Sequence, residues 1–339
     1  MESQNNVASH DVCAELSSPA REQSGHSLNS HYHHLRGNSN SNSNSGDCET
    51  IITNPLLCRF LSYLNAGRVA CPQGDHTYHT FTLQPRAYTK TLESLRESDS
   101  EVWGYVLNKL RHDLIEDEFL IIKMPSSTHD ITVDQIGDLI KSQLAIMVET
   151  TSNQDTKKLI QDIKAGLARS VWLDDSKNKR EPDQQFLVKG SYYPGVIIEF
   201  AYSQSFQKLR RKAYDFIVGS TGSVQLVIGL ETGDKKSKSF KISVWRPEFY
   251  RSENRDAVRM KTITERDIIR GSDGTLKPGC LRFHLRDFDE DLAIKYPYAE
   301  LTKEITLDYD VLARYLICAE QFDVPRRSPR RDIIKAPYE

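Results

Sequence analysis

The order of elements along this chain predicts an α/β fold. Apolar runs of strand length at residues 119–124, 196–199 and 224–230 alternate with segments at 131–148 and 205–218, where apolar residues recur at helical spacing. Runs with so little polar interruption suit strands covered on both faces, which is how helices pack on a sheet. Composition agrees: 339 residues, 38% of them hydrophobic, with both charge signs abundant, describe a globular chain of one or two domains.

Taken in order, residues 1–49 are rich in Ser, Asn, His and Gly and include the tract from Asn38 to Ser45. Such a stretch buries too little apolar surface to offset the entropy of ordering, so a disordered arm is expected. His31, His33 and His34 within it could bind a metal. A closed site wants four spaced ligands, however, and a solvated low-complexity arm accounts for them as well. Residues 50–115 are expected to be a helical segment, with short helices at 51–64 and 86–96. A longer helix at 101–112 is capped by Asp99 and Ser100, with Val102, Val106, Leu107 and Leu110 as its packing stripe.

Residues 116–321 form the expected core. A strand at 119–124 is ended by Pro125, and a helix at 131–148 packs through Ile136, Leu139, Ile140 and Leu144. A second helix is expected at 156–170 and a charged loop at 174–181, with Trp172 between them as a core residue. Beyond Glu199 the helix at 205–218 packs through Leu209, Ala213, Phe216 and Ile217, and Gly219 suits its C-cap. Strands at 224–230 and 240–245 enclose a polar loop, in which Glu231 is expected at the surface. A period-two strand at 281–285 bears His284 on one face, and a strand at 305–307 turns into a helix at 309–320. Residues 322–339 are a basic tail. Its cluster Arg326, Arg327, Arg330 and Arg331 around Ser328 reads as a nuclear-import or nucleic-acid patch that a phosphate on Ser328 would weaken, or as a plain charged tail.

Several function classes are excluded. The net charge of −2 gives no global attraction to nucleic acid, so any such binding must come from a local patch. Lys208, Arg210, Arg211 and Lys212 make one, able to hold phosphates or to serve as a solvated helix face. No run approaches the roughly 18 apolar residues of a membrane span, and the polar start lacks a secretory core. The 6 cysteines include no C-x-x-C pair, which suits reduced intracellular thiols. A phosphate-binding P-loop, a G-x-S-x-G elbow and an H-E-x-x-H pair are all missing.

Residues 181–231 carry the chemistry. Glu199 sits inside an apolar strand, where a carboxylate is costly unless it is paired or holds a metal. Asp183 follows Pro182 at the start of the preceding extended segment. Two acids brought together across neighbouring strands make a hard-oxygen site suited to magnesium. The neutral alternatives are a turn initiated by Asp183 and a Glu199 paired with a helix arginine.

The ordered set of pieces resembles the PD-(D/E)XK nuclease superfamily, most of all its Uma-type restriction-endonuclease branch and the related fungal proteins. That branch runs an acidic strand into a Met-Pro, small-residue, His segment, as in Glu118 to His129 here. Pro-Asp follows, matched by Pro182-Asp183, then an apolar strand with an inner glutamate, matched by Val196 to Glu199. A Ser-containing turn and a Lys-bearing helix complete it, matched by Ser203 to Ile217. The resemblance covers residues 115–250. It implies a restriction-endonuclease-like core, a central mixed β-sheet flanked by helices, and a magnesium-dependent DNA endonuclease using one or two ions. Asp183 and Glu199 would be metal ligands, with Glu118 as a third.

The pattern wants a lysine two residues after the glutamate, and Ala201 stands there. In this branch the following helix supplies it, and Lys208 and Lys212, four residues apart, share a helical face. Gln204 is a weaker candidate. The resemblance further implies nucleic-acid contacts, DNA rather than RNA, from Gln204, Lys208, Arg210, Arg211 and Lys212. His129 would lie near the site, or cap a helix, or sit at the surface. Ala201 also carries the alternative, a catalytically degenerate fold that binds nucleic acid or protein.

Overall fold

The structure, a computed structural model, describes residues 78–322 apart from 84–85, 99–102, 104–105, 107–109, 117, 124–125, 167–168, 174–177, 202–204, 234–236 and 254. The arm 1–49 with its histidines, the helix expected at 51–64, Ser203, Gln204 and the basic tail lie outside the described residues.

The first elements are strand β1 (Tyr78–Thr82), helix α1 (Ala87–Ser98) and strands β2 (His112–Ile115) and β3 (Phe119–Lys123). Helices α2 (Ser127–Thr150) and α3 (Gln154–Asp162) follow, then strands β4 (Ile163–Gly166), β5 (Val171–Leu173), β6 (Asn178–Arg180), β7 (Gln184–Val188) and β8 (Val196–Ala201). Helix α4 (Phe206–Gly219) leads to β9 (Leu226–Thr232), β10 (Phe240–Ser252) and β11 (Arg255–Arg270). The C-terminal part holds β12 (Cys280–His284), a short helix α5 (Leu292–Lys295), β13 (Glu304–Asp308) and α6 (Tyr309–Glu320).

The central sheet is mixed, with strand order β11-β10-β9-β8-β7-β4. Strands β7 and β8 pair antiparallel, whereas β8 and β9 pair parallel with α4 as the connection between them. Side chains alternate across a strand, and β8 shows it. Val196, Ile198 and Phe200 enter one apolar core with α2, α3 and α6, through Ile136, Ile140, Leu159, Leu312 and Leu316. Ile197 and Ala201 enter the opposite core with Leu209, Ala213, Phe216 and Ile217 of α4. A strand buried on both faces must be apolar throughout, which explains the run that marked it. Glu199 falls between Ile197 and Ala201, on the α4 face.

A second, antiparallel sheet has the order β1-β3-β2-β6-β5. It meets α4 through Val171 and Leu173. Hairpin β12–β13 closes the other core with Phe283, Ile305 and Leu307. No helix among the described residues is long and apolar enough to cross a membrane, and Cys280 and Cys318 are free thiols.

Several sequence expectations are corrected here. The helix expected at 101–112 has ended by Leu110, and β2 begins at His112, so a helical boundary at 115 cuts through the second sheet. The helix at 156–170 ends at Asp162, because Ile163–Gly166 pairs with β7. The charged loop at 174–181 contains β6, paired with both β5 and β2. Trp172 is 37% exposed rather than core. Glu231 is buried, with Arg266 donating to its Oε1.

Candidate active site

Antiparallel pairing sets Gln184 opposite Ile198. Asp183 immediately precedes β7, at the end of the pair where Glu199 follows Ile198. The Phe200 N–H donates to Asp183 Oδ2 at 2.8 Å, which ties the acid to the edge of β8. Both carboxylates are buried. The two acids that stand sixteen residues apart in the chain therefore meet in one place.

Helix α4 brings the lysine. Leu209, Ala213, Phe216 and Ile217 define its buried stripe, and Lys212 lies at the stripe's edge. Its Nζ donates to Glu199 Oε2 at 2.5 Å. Lys208 is a further ~40° around the helix at 3.6 residues per turn and is exposed. Of the two lysines expected on this face, the structure brings only Lys212 to the carboxylates. Arg210 and Arg211 are exposed too, with Arg211 Nε donating to Asp215 at 2.8 Å. Lys208, Arg210 and Arg211 thus form an outer basic face, and Lys212 is set apart from them by burial.

Glu118 is not part of this group. It occupies the turn between β2 and β3 and is exposed, while the opposite end of β3, at Lys123, is the end that reaches the site. Five strand residues separate those ends by roughly 16 Å. The second sheet instead contributes groups that hydrophobic patterning does not single out. Lys123 Nζ lies 2.8 Å from Asp113 Oδ1 and also donates to the Glu181 carbonyl. Arg180 approaches Asp113 at 3.6 Å and pairs with Asp215. Just before β2, Arg111 pairs with Asp183, and His129 in the first turn of α2 places Nε2 3.1 Å from Asp183 Oδ2. His129 is buried against Phe200 with ring centroids 5.5 Å apart, so it is a site residue rather than a surface one. Ser126, whose side chain accepts from the His129 N–H, caps this helix.

The electrostatics divide the two acids. Burial alone would raise Asp183, but His129, Lys212 and Arg111 outweigh it and hold the carboxyl well below its usual range. Glu199 goes the other way: burial and the neighbouring Asp183 charge push it up against the pull of Lys212 and Lys123. Burial lowers Lys123, with Lys212 adding to it and Asp113 opposing. Glu199 Oε1 is buried and makes no hydrogen bond among the described residues. A buried acceptor left open in this way is costly unless a water or an ion completes it.

Behind the site lies a second buried network. His112 Nδ1–H donates to the Leu110 carbonyl at 2.8 Å, and Nε2 accepts from the Tyr88 hydroxyl and the Lys179 ammonium, both at 2.7 Å. The His112 N–H donates to Glu181 Oε2 at 2.7 Å, and Lys179 pairs with Oε1 at 2.8 Å. Burial, with Lys179 beside the ring, pushes His112 from 6.5 down to about 4. The folded protein keeps this imidazole neutral in a window where the unfolded chain takes up a proton. Stability is therefore fully present above about pH 6.5 and falls as pH drops toward 4, by about 3 kcal/mol from this group. Urea unfolding at pH 7 and pH 4.5 measures it, and His112→Gln should flatten the difference. An unchanged difference would place the pH dependence elsewhere.

A magnesium ion takes one or two protein carboxylates and completes its shell with water and phosphate oxygens. Glu199 leaves one buried carboxylate oxygen without a hydrogen bond, whereas both oxygens of Asp183 already accept from protein donors. Among the described residues no group of three His, Cys, Asp or Glu side chains forms a metal cluster. Compared with known proteins, the chain matches no family model and no curated protein.

Proposed function

We propose that this chain is a magnesium-dependent DNA endonuclease with a restriction-endonuclease-like core of the PD-(D/E)XK kind. One observation carries the proposal: Asp183, just ahead of β7, accepts from the Phe200 N–H next to Glu199 in β8, and Lys212 of the next helix contacts Glu199. Asp183 and Glu199 would hold the ion, which when bound supplies Lewis acidity and a water of lowered pKa. Lys212 is the lysine placed to orient that water or to stabilise charge developing on the phosphate. Its arrival from a helix explains how a chain with Ala201 in the usual lysine position retains the group. The exposed Lys208, Arg210 and Arg211 lie on the same helix and suit contacts to the DNA backbone. An intracellular site of action, nuclear if the tail at 326–331 is an import signal, completes the proposal.

A second reading is favoured by a different observation. Both oxygens of Asp183 already meet protein cations or the Phe200 N–H, as they would in a non-catalytic module that binds nucleic acid or protein. Cleavage of plasmid DNA with and without magnesium decides between them. Cleavage should require the ion and vanish in Asp183→Asn and Glu199→Gln, and magnesium should raise the Tm of the native chain but not of Glu199→Gln. Cleavage that survives both substitutions removes the nuclease. Absence of both cleavage and a magnesium-dependent Tm leaves the binding module.

A further inference from the structure

Arg111 has no place in the resemblance, yet it stands directly on the aspartate. Its Nη2 pairs with Asp183 Oδ1, and its Nη1 lies 3.4 Å from Asp130 Oδ1. His129 bridges the same two acids, with Nδ1 3.0 Å from Asp130 Oδ1 and Nε2 3.1 Å from Asp183 Oδ2. The four side chains close a ring. With the Phe200 N–H on Oδ2, each oxygen of Asp183 is engaged. Glu199 differs, since Lys212 holds one oxygen and the other has no hydrogen bond.

That asymmetry has a direct consequence for cation binding, and it rests on the magnesium reading above. A divalent ion at Glu199 Oε1 would break no hydrogen bond, but at Asp183 it would have to share an oxygen with a protein donor, and Oδ1, the less engaged of the two, already holds the Arg111 guanidinium. A guanidinium and a metal ion on one carboxylate also repel each other strongly at such short range. The ring supplies a place for Arg111 to go. Asp130 is 58% exposed on its side chain and already faces the guanidinium. The His129 contact is the more buried of the two, with the side chain 4% exposed against 18% for Arg111, so Arg111 is the contact that can yield.

We infer that Arg111 is a positioning residue that latches Asp183 in a closed arrangement and must move onto Asp130 before Asp183 can bind a divalent cation. The latch keeps the carboxylate paired while the site is empty and sets a threshold for loading it. Removing the latch therefore strengthens metal binding, whereas loss of a purely structural contact would loosen the site and weaken it.

Mn2+ binding to the full chain, followed by calorimetry or by the free-ion paramagnetic signal, tests this. Arg111→Gln should bind Mn2+ on the order of tenfold more tightly than the native chain. Arg111→Lys should fall between them, because one ammonium cannot span both acids, and this variant carries the test if Arg111→Gln does not fold. Adding Glu199→Gln to either variant should abolish the gain. Equal or weaker Mn2+ binding in the variants, with binding measurable in the native chain, overturns the latch and leaves the metal site standing. Absence of Mn2+ binding in every form overturns the latch and the metal site together.

Discussion

Lys123→Met should lower the stability of this protein by about 3–5 kcal/mol, the usual cost of leaving one member of a buried ion pair uncompensated. Lys123 lies at the end of β3, with Nζ 2.8 Å from Asp113 Oδ1 and a further hydrogen bond to the Glu181 carbonyl. Methionine keeps the length and apolar stem of the side chain while removing the charge and the donors. Burial would raise Asp113, but Lys123, Lys212 and Arg180 hold it far below the ordinary carboxylate range, with Lys123 the strongest of the three. Without it the acid must stay charged with poorer company or take a proton at a cost. Urea unfolding at pH 7 measures the loss as a lower midpoint with an unchanged slope. A loss under about 1 kcal/mol, the value of an exposed pair, would mean that the network under the site is not ionised as described.

If the chain is the nuclease proposed above, Lys212→Met should reduce DNA cleavage by about 10²- to 10³-fold, the range seen when a charge-stabilising donor is removed. The fold should suffer less than in Lys123→Met. The carboxyl that loses its partner here is Glu199, already pushed up by burial and by Asp183, so it can neutralise itself by taking a proton. Asp113, held down by several cations, has no such outlet at neutral pH. Single-turnover cleavage paired with urea unfolding of both variants reads the contrast. If Lys212→Met cleaves at the native rate, the lysine has no part in the chemistry. If it unfolds as readily as Lys123→Met, the assigned difference between the two acids is wrong.

The parts of the fold legible in the chain are those held by apolar contacts. Strand β8 announced itself because both of its faces are covered, and α4 because Leu209, Ala213, Phe216 and Ile217 keep one side of a helix. Apart from β3, which the apolar run at 119–124 marked, the second sheet was hidden for the opposite reason. Its strands β2 and β6 bury His112, Asp113, Lys179 and Arg180, so a periodicity built on apolar residues reads them as helix end or loop. The site divides in the same way. Asp183 after Pro182 and Glu199 inside an apolar strand stood out as polar residues at marked positions, whereas Lys208 and Lys212 were not told apart. His129 was named only through the resemblance, with surface and capping alternatives, and Arg111, a basic residue just ahead of a strand, carried no such mark.

From its sequence alone the protein's α/β character and the helix between the apolar strands at 196–199 and 224–230 were determined, because local periodicity and turn residues act over a few positions. Tertiary structure alone decided which of two lysines on one helical face turns inward, that Glu118 stays outside, and that Arg111 and His129 close on Asp183. Those outcomes depend on the angular position of a side chain against a packed sheet and on charges meeting across strands distant in the chain. Burial then makes each charge choose a partner, and no spacing along the chain records that choice.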